Sequence, residues 1–335
     1  MHGRLFQFDL SAFSDGLIMP FPSYFVLLLA GFLLATVMGA IWAKRVGQNP
    51  DVVVDLGLAM VLAGVAGGRL LHVLADGHFM EYVNLCVDHT KVDWVISQAQ
   101  CKSAEYGGTW DLAKQVCHPK ESDCFAWARF YAGGLTYYGG FAGASTAAWF
   151  LLRADKFPFW KAADMAGMVV PLGLGFGRMG CLLAGCCFGT PFTSGLAVQF
   201  PPNSPASEAQ WKSGLLPTAQ SYSMPVHPTQ LYESLASFAI AAFLIFHFHG
   251  RKRYDGQVFL AFVALYSIVR FGIEFVRADD RGGFLGLSTS QLVGILLVGG
   301  VVWLNKRLEA RSRELLQKTT SEKASSESPP ASAPA

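Results

Sequence analysis

In the stretch YSIVRFGIEFVR, Tyr266, Arg270, Glu274 and Arg277 follow one another at spacings of four, four and three residues. On an α-helix that spacing makes a single stripe. It sets two guanidinium groups and one carboxylate in an otherwise apolar run. A charged side chain at the centre of a bilayer costs at least about 2.5–3.5 kcal/mol on insertion scales. Such groups are expected to face the interior of a helix bundle. Glu274 can neutralise one arginine or bridge both, and positive charge then remains for an anionic ligand. An internal salt bridge, with Arg277 snorkelling to the outer surface, explains the same pattern without a ligand.

Arginines among glycines recur twice. GFGRMGCLLAGCCFG, from Gly175 to Gly189, surrounds Arg178 with Gly175, Gly177 and Gly180, and GGRLLH places Arg69 after Gly67 and Gly68. Small residues let helices approach closely and leave backbone open to a ligand. A guanidinium there can grip a phosphate through two parallel hydrogen bonds. A snorkelling arginine beside a packing motif is the plainer alternative for each. Taken together, the separate intramembrane arginines point to a site for a phosphate-bearing lipid.

Two further stretches carry polar groups. In AGGLTYYGGFAG, Tyr137 and Tyr138 lie among Gly133, Gly134, Gly139, Gly140 and Gly143. A phenol in that setting can hydrogen-bond a ligand, or sit in the aromatic belt at the membrane surface. In HPTQLYES, Pro228 fits the first turn of a helix, and Glu233 lies near the positive end of its dipole. A helix start does not explain why Gln230 and Glu233 enter an apolar span.

The thiols fall into two groups. Cys181, Cys186 and Cys187 follow Arg178 closely. They can be small apolar packing residues, can form a bond between Cys181 and Cys186 or Cys187, or can supply a functional thiolate beside Arg178. Cys86, Cys101, Cys117 and Cys124 share one loop and read as two disulfides with three possible pairings. A zinc site is the alternative for these four, but their spacing is wide and not of the C-x-x-C type.

The elements that must position these residues follow from composition. The chain has 335 residues, 52% hydrophobic and 15% charged, with 26 Phe. Soluble domains carry about 25% charged residues, so this is expected to be an all-α polytopic membrane protein. A net charge of +2, spread over short loops, gives no basis for nucleic-acid binding. About seven membrane spans are expected, near 21–43, 52–75, 131–152, 162–183, 230–249, 256–277 and 288–305. Lys44 and Arg45, Arg153 to Lys161, Arg251 to Arg253 and Lys306 to Arg313 then fall on one side, the cytoplasmic one. The N-terminal segment 1–20 is outside, and the first apolar run reads as a retained span rather than a cleaved signal. Segments 76–130 and 184–228 are outside loops. The segment 306–335, of low complexity from 314 onward, is expected to be a disordered cytoplasmic tail.

Together these stretches resemble the bacterial phosphatidylglycerol–prolipoprotein diacylglyceryl transferases, over about residues 20–305. GGR at 67–69, GGLTYYGG at 133–140, GLGFGRMGC at 173–181, HPTQLYE at 227–233 and YSIVRFGIEFVR at 266–277 match family motifs in the family's order. The resemblance implies transfer of a diacylglyceryl group from phosphatidylglycerol to the lipobox cysteine of a prolipoprotein, in the bacterial inner membrane. A thioether forms and glycerol phosphate leaves. It implies catalytic roles for Arg178, Arg270, Tyr138, Glu274 and Tyr266, with Glu274 orienting Arg270. Substrate-binding roles fall to Arg178, Arg69, Gly139, Gly140, Gln230, Glu233 and Arg277. No metal or organic cofactor is implied. The sequence departs from the family at three polar positions: Tyr138 stands for a histidine, Cys181 for an asparagine and Cys186 for a glutamate. Cys181 and Cys186 are therefore candidates for a thiol role.

Overall fold

The structure is a computed structural model that describes residues 4–9, 18–75, 77, 79–94, 98–102, 107–128, 134–218, 220–278, 283–284 and 286–326. The first residues of the third expected span, 131–133, and the last of the tail, 327–335, lie outside these. Among the described residues, six helices are long and apolar enough to cross a membrane: Tyr24–Arg45, Pro50–Ala75, Phe159–Ala184, Thr229–Arg251, Gln257–Glu274 and Thr289–Thr320. They coincide with six of the seven expected spans. The remaining one is also a helix, Tyr137–Ala154, but three glycines, Ser145, Thr146 and two tyrosines dilute its apolar residues.

The chain divides into two compact units, one of residues 51–157 and one of 1–50 with 158–335. The larger unit is built around α6 (Phe159–Ala184). Against it pack α1 (Ser23–Arg45), α8 (Thr229–Ala242) and α9 (Gln257–Glu274), and α10 (Thr289–Ser326) packs on α9. Glycines make α6 approachable. A Cβ on Gly175 would lie 2.5 Å from the Phe238 ring, one on Gly167 2.8 Å from the Phe259 backbone, and one on Gly31 of α1 2.7 Å from Phe176. Met168, Ile240, Leu244, Val258 and Phe262 form the apolar centre of this packing. Leu28, Leu33, Val37 and Ile41 on α1 stay exposed, as lipid-facing side chains must. The buried face of α8 is polar instead: Thr229, Gln230, Glu233, Ser234 and Ser237. At the opposite end of the helices, buried Asp164 accepts from the backbone N–H groups of Val258 (2.9 Å) and Phe259 (3.2 Å), capping α9. The segment between α6 and α8 carries a short helix, α7 (Pro205–Lys212), over a small core of Phe200, Ala206 and Val226.

The smaller unit contains α2 (Pro50–Ala75) from Asp51 onward, α3 (Phe79–Val87), α4 (Gln98–Cys101) and α5 (Tyr137–Ala154). Helices α2 and α5 meet through small residues. A Cβ on Gly67 would lie 2.5 Å from the Gly139 carbonyl oxygen, and one on Gly139 or Gly143 would collide with the α2 backbone. Between these helices the structure selects one of the three possible disulfide pairings, Cys86–Cys124 and Cys101–Cys117.

The fold is mainly helical, as expected. Among the described residues, three small two-stranded antiparallel sheets accompany the helices: Arg4–Asp9 with Ile18–Pro22, Thr109–Asp111 with Val116–His118, and Gly283–Phe284 with Leu287–Ser288. Their short length hides them from a pattern search. The expected disordered tail is also helical as far as Ser326. Its first half, LNKRLEARSRELLQK, is rich in strong helix formers, and Arg313 pairs with Glu309 one turn back at 2.7 Å.

Candidate active site

Glu233 is the pivot of the larger unit. It sits one turn into α8 and is fully buried. Arg178, on the last turns of α6, reaches its Oε1 at 3.0 Å. The Tyr266 hydroxyl, from α9, donates to the same oxygen at 2.7 Å. Arg277 Nη1 lies 3.9 Å from Oε2. A buried carboxylate needs such partners, because an uncompensated charge in a low-dielectric interior is strongly unfavourable. The group as a whole carries one positive charge more than its carboxylate cancels. The Arg178 side chain keeps 19% of its surface exposed, so the guanidinium is fixed on one side and accessible on the other. That is an arrangement suited to charge developing on a phosphate in a site poor in water.

A second ion pair lies farther along α9. Arg270 Nη1 meets Glu274 Oε2 at 2.7 Å, and Arg270 Nη2 donates to Ser290 Oγ of α10 at 3.3 Å. The expected orientation of Arg270 by Glu274 is therefore present as a direct contact. The four-residue stripe is only partly realised. Helix α9 ends at Glu274, and Arg277 lies beyond it, its backbone bridged to Gly189. Tyr266 turns to Glu233 rather than to its neighbours on the stripe. Gly189 can hold no larger residue, since a Cβ there would be 2.5 Å from the Val276 carbonyl and 2.6 Å from His227.

The segment after α6 folds back on itself. Gly185 adopts φ +76° and its N–H bonds to the carbonyl of Cys181, as does the N–H of Cys186 at 3.2 Å. This is the left-handed glycine closure of a helix C-terminus. Cys187 follows at φ +61°, a region that non-glycine residues seldom occupy. Buried side chains at the start of α8 hold both cysteine carbonyls: Gln230 Nε2 donates to that of Cys186 and Thr229 Oγ1 to that of Cys187, each at 2.6 Å. The result gathers Cys181, Cys186 and Cys187 as free thiols with their sulfurs within 4.8 Å of one another. Hydrogen bonds from Cys181 and Cys186, then the facing Arg178 and Arg277, hold the Cys187 thiol well below the ordinary thiol range. Tyr24 at the start of α1 packs on Gly180, where a Cβ would meet its ring at 3.0 Å.

The residues expected from the sequence thus separate. Arg178, Tyr266, Arg277 and Glu233 come together, and Gln230 serves the loop backbone. Arg270 and Glu274 form their own pair. The carboxylate of Glu233, expected to bind substrate, is enclosed and contacts Arg178, Tyr266 and Arg277. Arg69, in the smaller unit, bonds the carbonyls of Trp127, Gly134 (3.2 Å) and Ala126 (2.9 Å) and lies over the Tyr82 ring. It clamps the outer loop onto α2. Gly139 and Gly140 lie at the α2–α5 contact, and Tyr138 is exposed on the first turn of α5. Sequence reasoning left out Thr229, Ser290, Tyr24 and the joining of Cys187 to the other two thiols. A glycine four residues after Cys181 was the available signal for the last of these.

These motifs and their geometry agree with comparisons to known proteins. The family model described as prolipoprotein diacylglyceryl transferase matches residues 16–305. The chain is 28% identical over 287 residues to a phosphatidylglycerol–prolipoprotein diacylglyceryl transferase 2 of Clostridium perfringens, covering 84% of this chain and 90% of that protein. It is 28% identical over 307 residues to the Solidesulfovibrio magneticus phosphatidylglycerol–prolipoprotein diacylglyceryl transferase, covering 90% and 95%. With Clostridium tetani's protein of the same name it shares 25% over 275 residues, or 82% and 88%. A family match over residues 16–305, with relatives covered over most of their length, places the chain in the prolipoprotein diacylglyceryl transferase family.

Proposed function

We propose that this chain moves the diacylglyceryl group of phosphatidylglycerol to the thiol of a lipobox cysteine in prolipoproteins. The thiol gives up its proton to water, and the sulfur bonds to the terminal glyceryl carbon. The bond from that carbon to the phosphate oxygen breaks, its electron pair stays on the oxygen, and glycerol phosphate leaves. Arg178 binds the phosphate and stabilises the charge that grows on it. Glu233, Tyr266 and Arg277 fix Arg178 in place before substrate arrives, so little reorganisation is needed in the transition state. Arg270, oriented by Glu274, is the second cation assigned to the leaving group. Tyr138 is proposed as a catalytic hydroxyl from its place in the family motif.

The protein is read as a bacterial inner-membrane protein with seven spans, Tyr137–Ala154 included. Its N-terminal side is outside and its C-terminal side cytoplasmic, because Lys44, Arg45, Arg153, Lys156, Arg251, Lys252 and Arg253 then share one face. Both substrates approach from the outer leaflet.

The observation that carries this reading is Arg178, 19% exposed and locked at 3.0 Å to a fully buried carboxylate. The test is an assay of purified protein with phosphatidylglycerol and a lipobox peptide. A thioether-linked product is expected, and it is expected to vanish with Arg178→Ala. The departures at Tyr138, Cys181 and Cys186 favour a second reading, a lipid-binding relative without turnover. Phosphatidylglycerol binding with no product from the unaltered protein would establish that one instead.

A further inference from the structure

The thiol trio is the feature the transferase reading leaves unexplained. We propose that Cys181, Cys186 and Cys187 form a three-thiolate site for a zinc ion whose open fourth position takes the thiol of the acceptor cysteine. The inference rests on the transferase reading for its second half only.

Four observations carry it. The sulfurs already lie within 4.8 Å of one another. Zinc–sulfur bonds of about 2.3 Å in tetrahedral geometry require sulfurs about 3.8 Å apart, so a contraction of about an ångström closes the site. The thiols remain unbonded to one another, although two of them are adjacent and the third is one helical turn away. Their backbone is held in an unusual shape, with Gly185 and Cys187 both at positive φ. The buried Thr229 and Gln230 side chains fix that shape through the Cys187 and Cys186 carbonyls. Packing residues need no such preparation; a ligand site does.

Ligand type selects the ion. Soft sulfur ligands, three from the chain with a fourth position open, point to zinc.

The chemistry follows from the open position. Three protein ligands leave room for one more, as in catalytic zinc sites. The acceptor thiol would bind there and release its proton to water, because coordination deprotonates a thiol outright. The bound sulfur then supplies the electron pair for the new bond to the glyceryl carbon. The carbon–oxygen bond breaks toward the phosphate. The neutral thioether is a poor ligand and departs, leaving the zinc with its charge unchanged.

The test uses the full chain purified in detergent. Zinc content is measured directly, and cobalt is substituted to read the thiolate-to-cobalt absorption in the near ultraviolet. About one metal per chain is expected, with the absorption lost in the Cys181→Ser/Cys186→Ser/Cys187→Ser variant. Unaltered protein stripped by a chelator serves as the second sample, so a folding defect in the variant cannot decide the result. In it, three thiols should become reactive to alkylation and regain protection with zinc. The cobalt spectrum should change on adding a lipobox peptide but not its Cys→Ser counterpart. Chelation should lower thioether formation at least about tenfold, with recovery on adding zinc. Failure to take up either metal, with alkylation unaffected by zinc, would overturn the site. Product formed at full rate by stripped protein would overturn its role in the reaction while leaving the transferase reading intact. Zinc bound by the trio without any thioether product would uphold the site and defeat the transferase reading with the peptide step.

Discussion

At the residue scale the central relation is the enclosure of one carboxylate: buried Glu233 contacts Arg178, Tyr266 and Arg277 at once. Removing one partner of a buried ion pair costs about 3–5 kcal/mol, since the other charge is left uncompensated. Glu233→Gln should therefore lower the thermal midpoint sharply and reduce turnover together. Arg178→Lys should behave differently. Lysine keeps the charge beside Glu233 but lacks the planar fork. Turnover should fall by about 10²-fold, the usual loss for one preorganised donor, while the midpoint stays close to that of the parent. Parallel melting curves and initial rates on both variants separate the two effects; an Arg178→Lys enzyme of full activity would show that point charge alone suffices. The identities of Arg178, Arg270 and Glu274 were legible because buried charge in an apolar run is conspicuous. The role of Glu233 was not. Its partners lie 55, 33 and 44 residues away, and only the packing of α6, α8 and α9 brings them together.

At the element scale, glycine placement governs which helices meet. The α2–α5 contact leaves no space for a methyl group at Gly139. Gly139→Ala should destabilise the protein by about 1–3 kcal/mol through overpacking, read as a lower midpoint and faster proteolysis between α2 and α5. An unchanged midpoint would mean that the two helices separate readily. The turn before α9 makes a second prediction. Burial pulls the Lys252 ammonium down, but its bonds to Asp164 (2.8 Å) and Asp255 (2.7 Å) outweigh this and raise it above the ordinary lysine value. A cation with a raised folded pKa contributes its full stability below the unfolded value of about 10.4 and loses it as pH rises through the folded one. The midpoint gap between parent and Lys252→Met should be widest near neutrality and shrink above about pH 10.4. A gap independent of pH would assign it to packing alone. Helix positions were legible in hydropathy. The end of α9 at Glu274 was not, because an isolated bridge between Gly189 and Arg277 stops it, and such bridges leave no periodic trace.

At the scale of the whole molecule, two units are secured by different means. The larger is held by buried polar contacts among spans. The smaller carries both disulfides. Cys101–Cys117 closes a loop with a sequence separation of 16 residues, for which chain entropy assigns about 3 kcal/mol. Reductant should expose cleavage sites between Phe79 and Ala128 while helices α6, α8 and α9 resist protease, and Cys101→Ser should do the same without reductant. Uniform loss of protection across the chain would contradict separate stabilisation. Cysteine count made two bridges readable; choosing among three pairings required the Thr109–Asp111 and Val116–His118 hairpin, which seats Cys117 beside Cys101.

The grip of Thr229 and Gln230 on the two cysteine carbonyls divides labour within the thiol segment. Main-chain course is set by α8, and side-chain identity is left uncommitted. Such a socket can exchange its contents without rebuilding its walls. Placing there the asparagine and glutamate that the family resemblance implies, by Cys181→Asn with Cys186→Glu, asks the same scaffold to run on different proton chemistry, which makes this segment a natural starting point for redesigning the enzyme.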